Sequence, residues 1–157
     1  MSIIKHKSTE YIDELVIKIN KLSEEDQASW GKMNVSEMMH HCSKFIDLYL
    51  GEIPLPKWYK IFGVSIGKLF LWYVSKLDPS KTPRNLRTDK RIVVSDKSYD
   101  FEEQRSLLLK KINGLSKVSG NINHPIYGKM SSDKIIFLIW HHTSHHLCQF
   151  GVGEQHH

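Results

Sequence analysis

From Ile135 to Gln149 the sequence places Ile135, Leu138, Ile139, His142, His146 and Gln149 on one side of a helix, so two histidines stand in a stripe that should face a core. At the helical repeat of 100° per residue, His142 and His146 are separated by about 40°. Burying an imidazole costs about 1–3 kcal/mol unless its nitrogens find partners. The pattern therefore asks for a packed helix and for something that satisfies both rings, and a divalent metal ion does so at once.

The rest of the chain supplies what such a helix needs to pack against. Ser8 to about Leu22 carries Tyr11, Leu15, Val16, Ile17 and Ile19 with acids early and lysines late, which suits a helix dipole. A second helix is predicted over about 35–50, with Asn34 as cap, Glu37 three residues on as in a capping box, and Gly51 as stop. A third runs over about 99–115 with Phe101, Leu107, Leu108 and Ile112, ending near Gly114. The last spans about 132–150, opened by serines and Asp133 and closed by Gly151.

Strand signals are almost absent and no internal repeat occurs, so the expected fold class is all-α, a four-helix bundle. At 157 residues this is one domain, taken as 1–151, with a short tail at 152–157. His156 and His157 in that tail are set aside because they resemble the remnant of a purification tag. Between the helices, Trp58 to Leu77 is long and aromatic, but Lys60, Lys68 and Lys76 interrupt it at eight-residue spacing. That marks an additional amphipathic helical segment rather than a membrane span, and packing against the domain is favoured over membrane association. From Asp78 to Ser98 an ordered loop is expected, with Ile92, Val93 and Val94 as a short extended piece.

A third metal ligand comes from the second helix. Met38, His41, Cys42, Phe45, Leu48 and Tyr49 share its apolar face, whereas His40 projects to the other side. His41 thus joins His142 and His146 as a candidate ligand set, with a vacant coordination position for water or substrate. The competing reading is three core histidines held by hydrogen bonds to Gln149, tyrosines or backbone; three inward positions on two helices favour the metal. His145, on the flank of the stripe, is a candidate for orienting a ligand or acting as general base. His141 lies further round. Cys42 reads as packing, Cys148 as pointing away from the stripe, and Glu37 as a cap. Arg84, Arg87, Lys90 and Arg91 could collect an anion, but a solvated loop is the favoured reading.

Charge and cysteine content narrow the partners. The net charge of +5 is spread along the chain, which gives no nucleic-acid footprint. Two cysteines make no disulfide framework and residues 1–20 do not resemble a signal peptide, so a cytoplasmic setting is expected; the partner expected for the open metal position is a small-molecule substrate. Trp58, Trp72 and Tyr73 form a candidate homodimer surface.

The run from Trp30 to Cys42, the run His124-Pro-Ile-Tyr-Gly-Lys-Met130, and the ending from His142 to Gly151 resemble the DUF1569 branch of the DinB superfamily. The likeness extends over about 8–151. It departs after Met130, where Ser-Ser-Asp-Lys-Ile-Ile-Phe stands in place of a frequent tryptophan, and Trp140 is expected to fill part of that volume. The resemblance implies a DinB-type four-helix bundle with a divalent ion, zinc or nickel, held by three histidines that map onto His41, His142 and His146. It also implies thiol-dependent chemistry, since the wider superfamily includes S-transferases using bacillithiol, mycothiol or glutathione, a mycothiol-dependent isomerase, and proteins described as metal-dependent hydrolases.

The expected function is therefore that of a metal-dependent enzyme in which the ion is a Lewis acid with an open position. A low-molecular-weight thiol as cosubstrate would lose its proton there and attack an electrophile. In the hydrolase alternative the position takes water. A non-catalytic metal-binding bundle of the stress-response kind is the third reading, and a fourth protein ligand would favour it.

Overall fold

The computed structural model describes residues 2–63, 67–84 and 98–152. Over these residues the chain forms α1 (Ser2–Ile19), α2 (Val35–Tyr49), α3 (Lys57–Phe62), α4 (Lys68–Val74), α5 (Phe101–Gly114), β1 (Asn121–His124), β2 (Gly128–Ser131) and α6 (Ser132–Gln149). The chain is mostly helical, as its periodicity predicts. α6 packs against α1 and α2, and α5 packs against the same two helices, so the four long helices enclose one core.

Local chemistry sets the helix ends. The Asn34 side chain accepts from the Glu37 amide at 2.9 Å and the Glu37 carboxylate accepts from the Asn34 amide at 2.8 Å, completing the expected capping box of α2. Asp100 caps α5 through the Glu103 amide at 2.8 Å, and Ser131 caps α6 through the Lys134 amide at 3.3 Å. Each such cap is worth about 1 kcal/mol. Gly51 and Gly151 follow α2 and α6 with φ of 81° and 73°, the left-handed stop that glycine adopts without strain.

Ile12, Leu15 and Ile19 of α1, Met38, Met39 and Ile46 of α2, Leu108 and Ile112 of α5, and Ile135, Ile139 and Leu147 of α6 fill the interior. Full burial of each such side chain contributes about 1.5–3 kcal/mol. α1 differs from expectation in starting at Ser2 and ending at Ile19, and in leaving Ile17 exposed. Ile17 lies about 200° round the helix from Leu15, so it cannot share the stripe at residues 12, 15 and 19.

Two further expectations need correction. The first concerns the amphipathic stretch over 58–77, which is helical over α3 and α4, with 64–66 outside the described residues, but is not covered by the domain as expected. At Gly63 the chain runs so close to Ile126 that an added Cβ would collide with the isoleucine side chain and its carbonyl, an approach only glycine permits. The apolar side of this segment does not pack wholly inward. Leu71 lies against the core, but Trp58, Ile61, Leu69, Trp72 and Tyr73 are each more than half exposed.

The second correction is the hairpin, since β1 and β2 pair antiparallel with Asn121 opposite Ser131 and His124 opposite Gly128. Its strands are four residues long and carry Asn121, Asn123 and Lys129, too short and too polar to show an alternating signal.

The extended piece predicted at Ile92, Val93 and Val94 lies outside the described residues, as do Arg87, Lys90, Arg91, His156 and His157. Among the described residues no helix is long and apolar enough to cross a membrane.

Candidate metal centre

Packing α2 against α6 brings His41, His142 and His146 together, with one ring nitrogen of each within 4.8 Å of the others. The Nε2 atoms of His41 and His142 are 3.1 Å apart. Two imidazole nitrogens at the usual zinc distance of about 2.0–2.1 Å in a tetrahedral site lie about 3.3 Å from each other. His41 and His146 are buried, whereas His142 is half-buried. Phe45 lies flat on the His142 ring, with centroids 3.6 Å apart and planes within 2°. The imidazole therefore cannot swing away from the centre without losing a full face of contact.

Burial, with the neighbouring histidines, keeps His142 and His146 neutral. Burial is the largest cause holding the His142 basicity well below the ordinary histidine value, and positive charge on His146 or His41 would lower it further. Burial, then His41, pushes His146 down to about 3. At neutral pH both are free bases, the form a metal requires.

The ring orientation of His146 is set from outside the cluster. Gln149 is buried; its side-chain nitrogen donates to the Trp30 carbonyl at 2.5 Å, which leaves its oxygen to accept from His146 Nδ1 at 3.1 Å. His146 thus carries its proton on Nδ1 and keeps the Nε2 lone pair for the centre. The Ser29 amide donates to the Gln149 carbonyl at 2.8 Å, so the 29–31 turn is bound to both ends of this glutamine. Gly31, with φ of 82°, lies where a Cβ would come within 2.6 Å of the Gln149 side-chain nitrogen. The close approach explains the glycine at position 31, whereas residue 30 contributes its backbone carbonyl.

The neighbouring histidines do other work. His141 donates from Nε2 to the Leu77 carbonyl at 3.0 Å, and His145 donates from Nδ1 to the Pro79 carbonyl at 3.0 Å. Together they tie the segment following α4 to α6. The His145 ring sits against His146, centroids 5.3 Å apart, and under Trp30 at 4.9 Å, so this candidate orienting residue borders the centre while its Nδ1 is engaged elsewhere. Burial lowers the basicity of both His141 and His145.

His40 turns to α5, where its Nδ1 meets Gln104 at 3.0 Å and its ring stacks on Tyr99 at 4.2 Å. The Cys42 thiol is buried against Met38, and burial pushes it up to about 12; it is an inert packing group. Cys148 is half-buried and Glu37 is engaged in the cap. Arg84 lies exposed over Trp30, its guanidinium carbon 5.3 Å from the ring centroid, beside the centre.

His124 is the residue that facing arguments overlook. It is buried, its Nδ1 accepts from the Ile126 and Tyr127 amides at 3.1 and 3.2 Å, and burial pushes its basicity down to about 4. Its ring meets Tyr49 edge-on at 4.4 Å, and Tyr49 stacks on Phe45 at 4.1 Å, so the hairpin turn is joined to His142 through a column of rings. In the sequence it stands only at the head of the His124–Met130 run, whose His124-Pro125 pair opens a turn.

A family described as proteins of unknown function, DUF1569, matches residues 5–152. The chain belongs to DUF1569. That match takes in α2, the hairpin and α6, and with them every side chain of the centre. No curated protein and no solved structure matches the chain. In this DUF1569 protein the donor set consists of three imidazoles without a carboxylate or thiolate among them. A divalent ion held there would keep its full charge, so the next ligand it favours is an anion or a group that loses a proton on binding. Among the described residues the cluster consists of these three histidines.

Proposed function

We propose that this DUF1569 protein is a DinB-type four-helix bundle in which His41, His142 and His146 hold one divalent ion, zinc or nickel, and that the site serves thiol-dependent S-transfer. The observation that carries the reading is the convergence of three buried or half-buried imidazoles from two helices, with Gln149 fixing the tautomer of one. When bound, the ion supplies the Lewis acidity that turns a thiol into a thiolate at neutral pH.

The chain's own residues orient and shield. Gln149 holds His146, Phe45 holds His142, and Trp30 covers one side. The nucleophile comes from outside the protein, because the Cys42 thiol is buried and remains protonated. In the transfer, the thiol proton passes to solvent, a sulfur–carbon bond forms, and the bond from that carbon to its leaving group breaks. Arg84, stacked on Trp30 beside the centre, suits a carboxylate on the thiol.

Two measurements test this. In the cobalt-substituted protein, glutathione-like thiols should change the visible spectrum, and a panel of thiols with electrophiles should show turnover that His41→Ala abolishes. If thiols leave the spectrum unaltered while esters are cleaved without any thiol, hydrolysis replaces S-transfer as the function.

A further inference from the structure

The segment over 53–77 carries Lys57, Lys60, Lys68 and Lys76 and no aspartate or glutamate. Its two short helices point large apolar side chains outward, with Trp58 and Ile61 three residues apart on α3 and Leu69, Trp72 and Tyr73 at helical spacing on α4. Apart from Ile17, these five are the exposed large hydrophobic residues among those described. Lys57, Lys68 and Lys76 are exposed beside them, and the Lys76 ammonium lies 5.3 Å from the centre of the Trp72 ring. Exposed apolar side chains gathered in one segment mark a contact surface.

We infer that α3 and α4 form a docking surface for an anionic bilayer, with Trp58, Trp72 and Tyr73 at the headgroup level and the lysines on acidic lipid headgroups. Charge decides the occupant. A second copy of the chain would bring lysines against lysines with no carboxylate in the segment to meet them, whereas an acidic lipid surface neutralises every one. Tryptophan and tyrosine, each with an apolar body and a polar edge, are the side chains that settle at a membrane–water boundary. The surface is also rigidly joined to the fold, since His141 and His145 hold the carbonyls of Leu77 and Pro79 just after α4. A bilayer-bound α4 would be tied directly to the helix that carries His142 and His146.

The test is co-flotation of the untagged full chain with large unilamellar vesicles, either pure phosphatidylcholine or phosphatidylcholine with about one third phosphatidylglycerol, at low and high salt. The protein should float with the anionic vesicles at low salt, with a blue shift of tryptophan emission, and release as salt rises. Lys57→Glu with Lys68→Glu should weaken partition by about 25-fold or more, from about five-fold per charge removed, while leaving the circular dichroism spectrum and melting temperature unchanged. Trp58→Ser with Trp72→Ser should abolish the blue shift. Equal partition onto neutral and anionic vesicles, or onto neither, overturns the inference. So does a concentration-dependent dimer in sedimentation velocity that Trp72→Ser dissolves while vesicles bind no protein.

Discussion

Replacing Gln149 by leucine is the most informative single perturbation of the centre, because it keeps the side-chain volume and removes both polar contacts. Gln149 is buried, and its side chain joins His146 Nδ1 at 3.1 Å to the Trp30 carbonyl at 2.5 Å. With leucine there, the His146 N–H and the Trp30 carbonyl lose their partner; a buried group left unpaired costs about 1–3 kcal/mol. The metal-free protein should therefore lose about 2–4 kcal/mol of stability in urea unfolding, allowing for partial relaxation toward water. Metal affinity should fall by about 10–100-fold, the usual consequence of removing the partner that orients a ligand histidine.

A chromophoric chelator competed against the protein measures that affinity. The decisive comparison is a cycle with His146→Ala. If Gln149 acts through His146, then Gln149→Leu should change affinity by less than about two-fold once His146 is gone. An undiminished loss in the His146→Ala background, or wild-type affinity in Gln149→Leu alone, would refute the assignment of Gln149 as the support of a ligand.

Burial holds His124 at about 4 in the fold against an unfolded value near 6.5, so between these limits the unfolded chain binds a proton that the native state does not. Stability from this residue is complete above pH 6.5 and falls by about 1.4 kcal/mol per pH unit below it, or about 2 kcal/mol at pH 5. Urea midpoints across pH 7 to 4.5 check this; His124→Asn, which can still accept from the turn amides without titrating, should flatten the slope by that amount, and an unchanged slope counts against it. Gly63→Ala should destabilise by about 1–3 kcal/mol through collision with Ile126, and Ile126→Ala should restore only part, because the added methyl also meets the Ile126 carbonyl. Complete rescue by Ile126→Ala would show that the backbone contact is unimportant.

Much of the centre was legible because helix periodicity converts sequence directly into direction. Facing separated His41 from His40 and His142 and His146 from His141, and the structure brings those three rings together while sending His40 to Gln104. The same reasoning could not find the roles of Trp30, Gly31 and His124. These lie in turns, where no repeat relates spacing to direction, and their partners are more than 60 residues away or on a backbone whose path periodicity does not describe. His145 was legible as a flanking position and His141 was placed further round the helix, yet both are buried, and neither was legible as a residue that holds a carbonyl after α4, since a carbonyl acceptor has no signature in side-chain sequence.

The amphipathic segment misled for a different reason. Lysines every eight residues identify a polar side, but they do not say whether the opposite side meets the domain or something outside it. The hairpin escaped because four-residue strands rich in asparagine carry almost no pattern.

The central claim is that three imidazoles hold one ion, and equilibrium metal content measures it directly. Protein freed of His156 and His157, stripped with chelator, dialysed against zinc or nickel and assayed by plasma mass spectrometry should retain one ion per chain. His41→Ala, His142→Ala and His146→Ala, each still helical by circular dichroism, should retain far less under the same conditions. Wild-type protein that keeps no ion, or histidine variants that keep as much as wild type, would contradict the account.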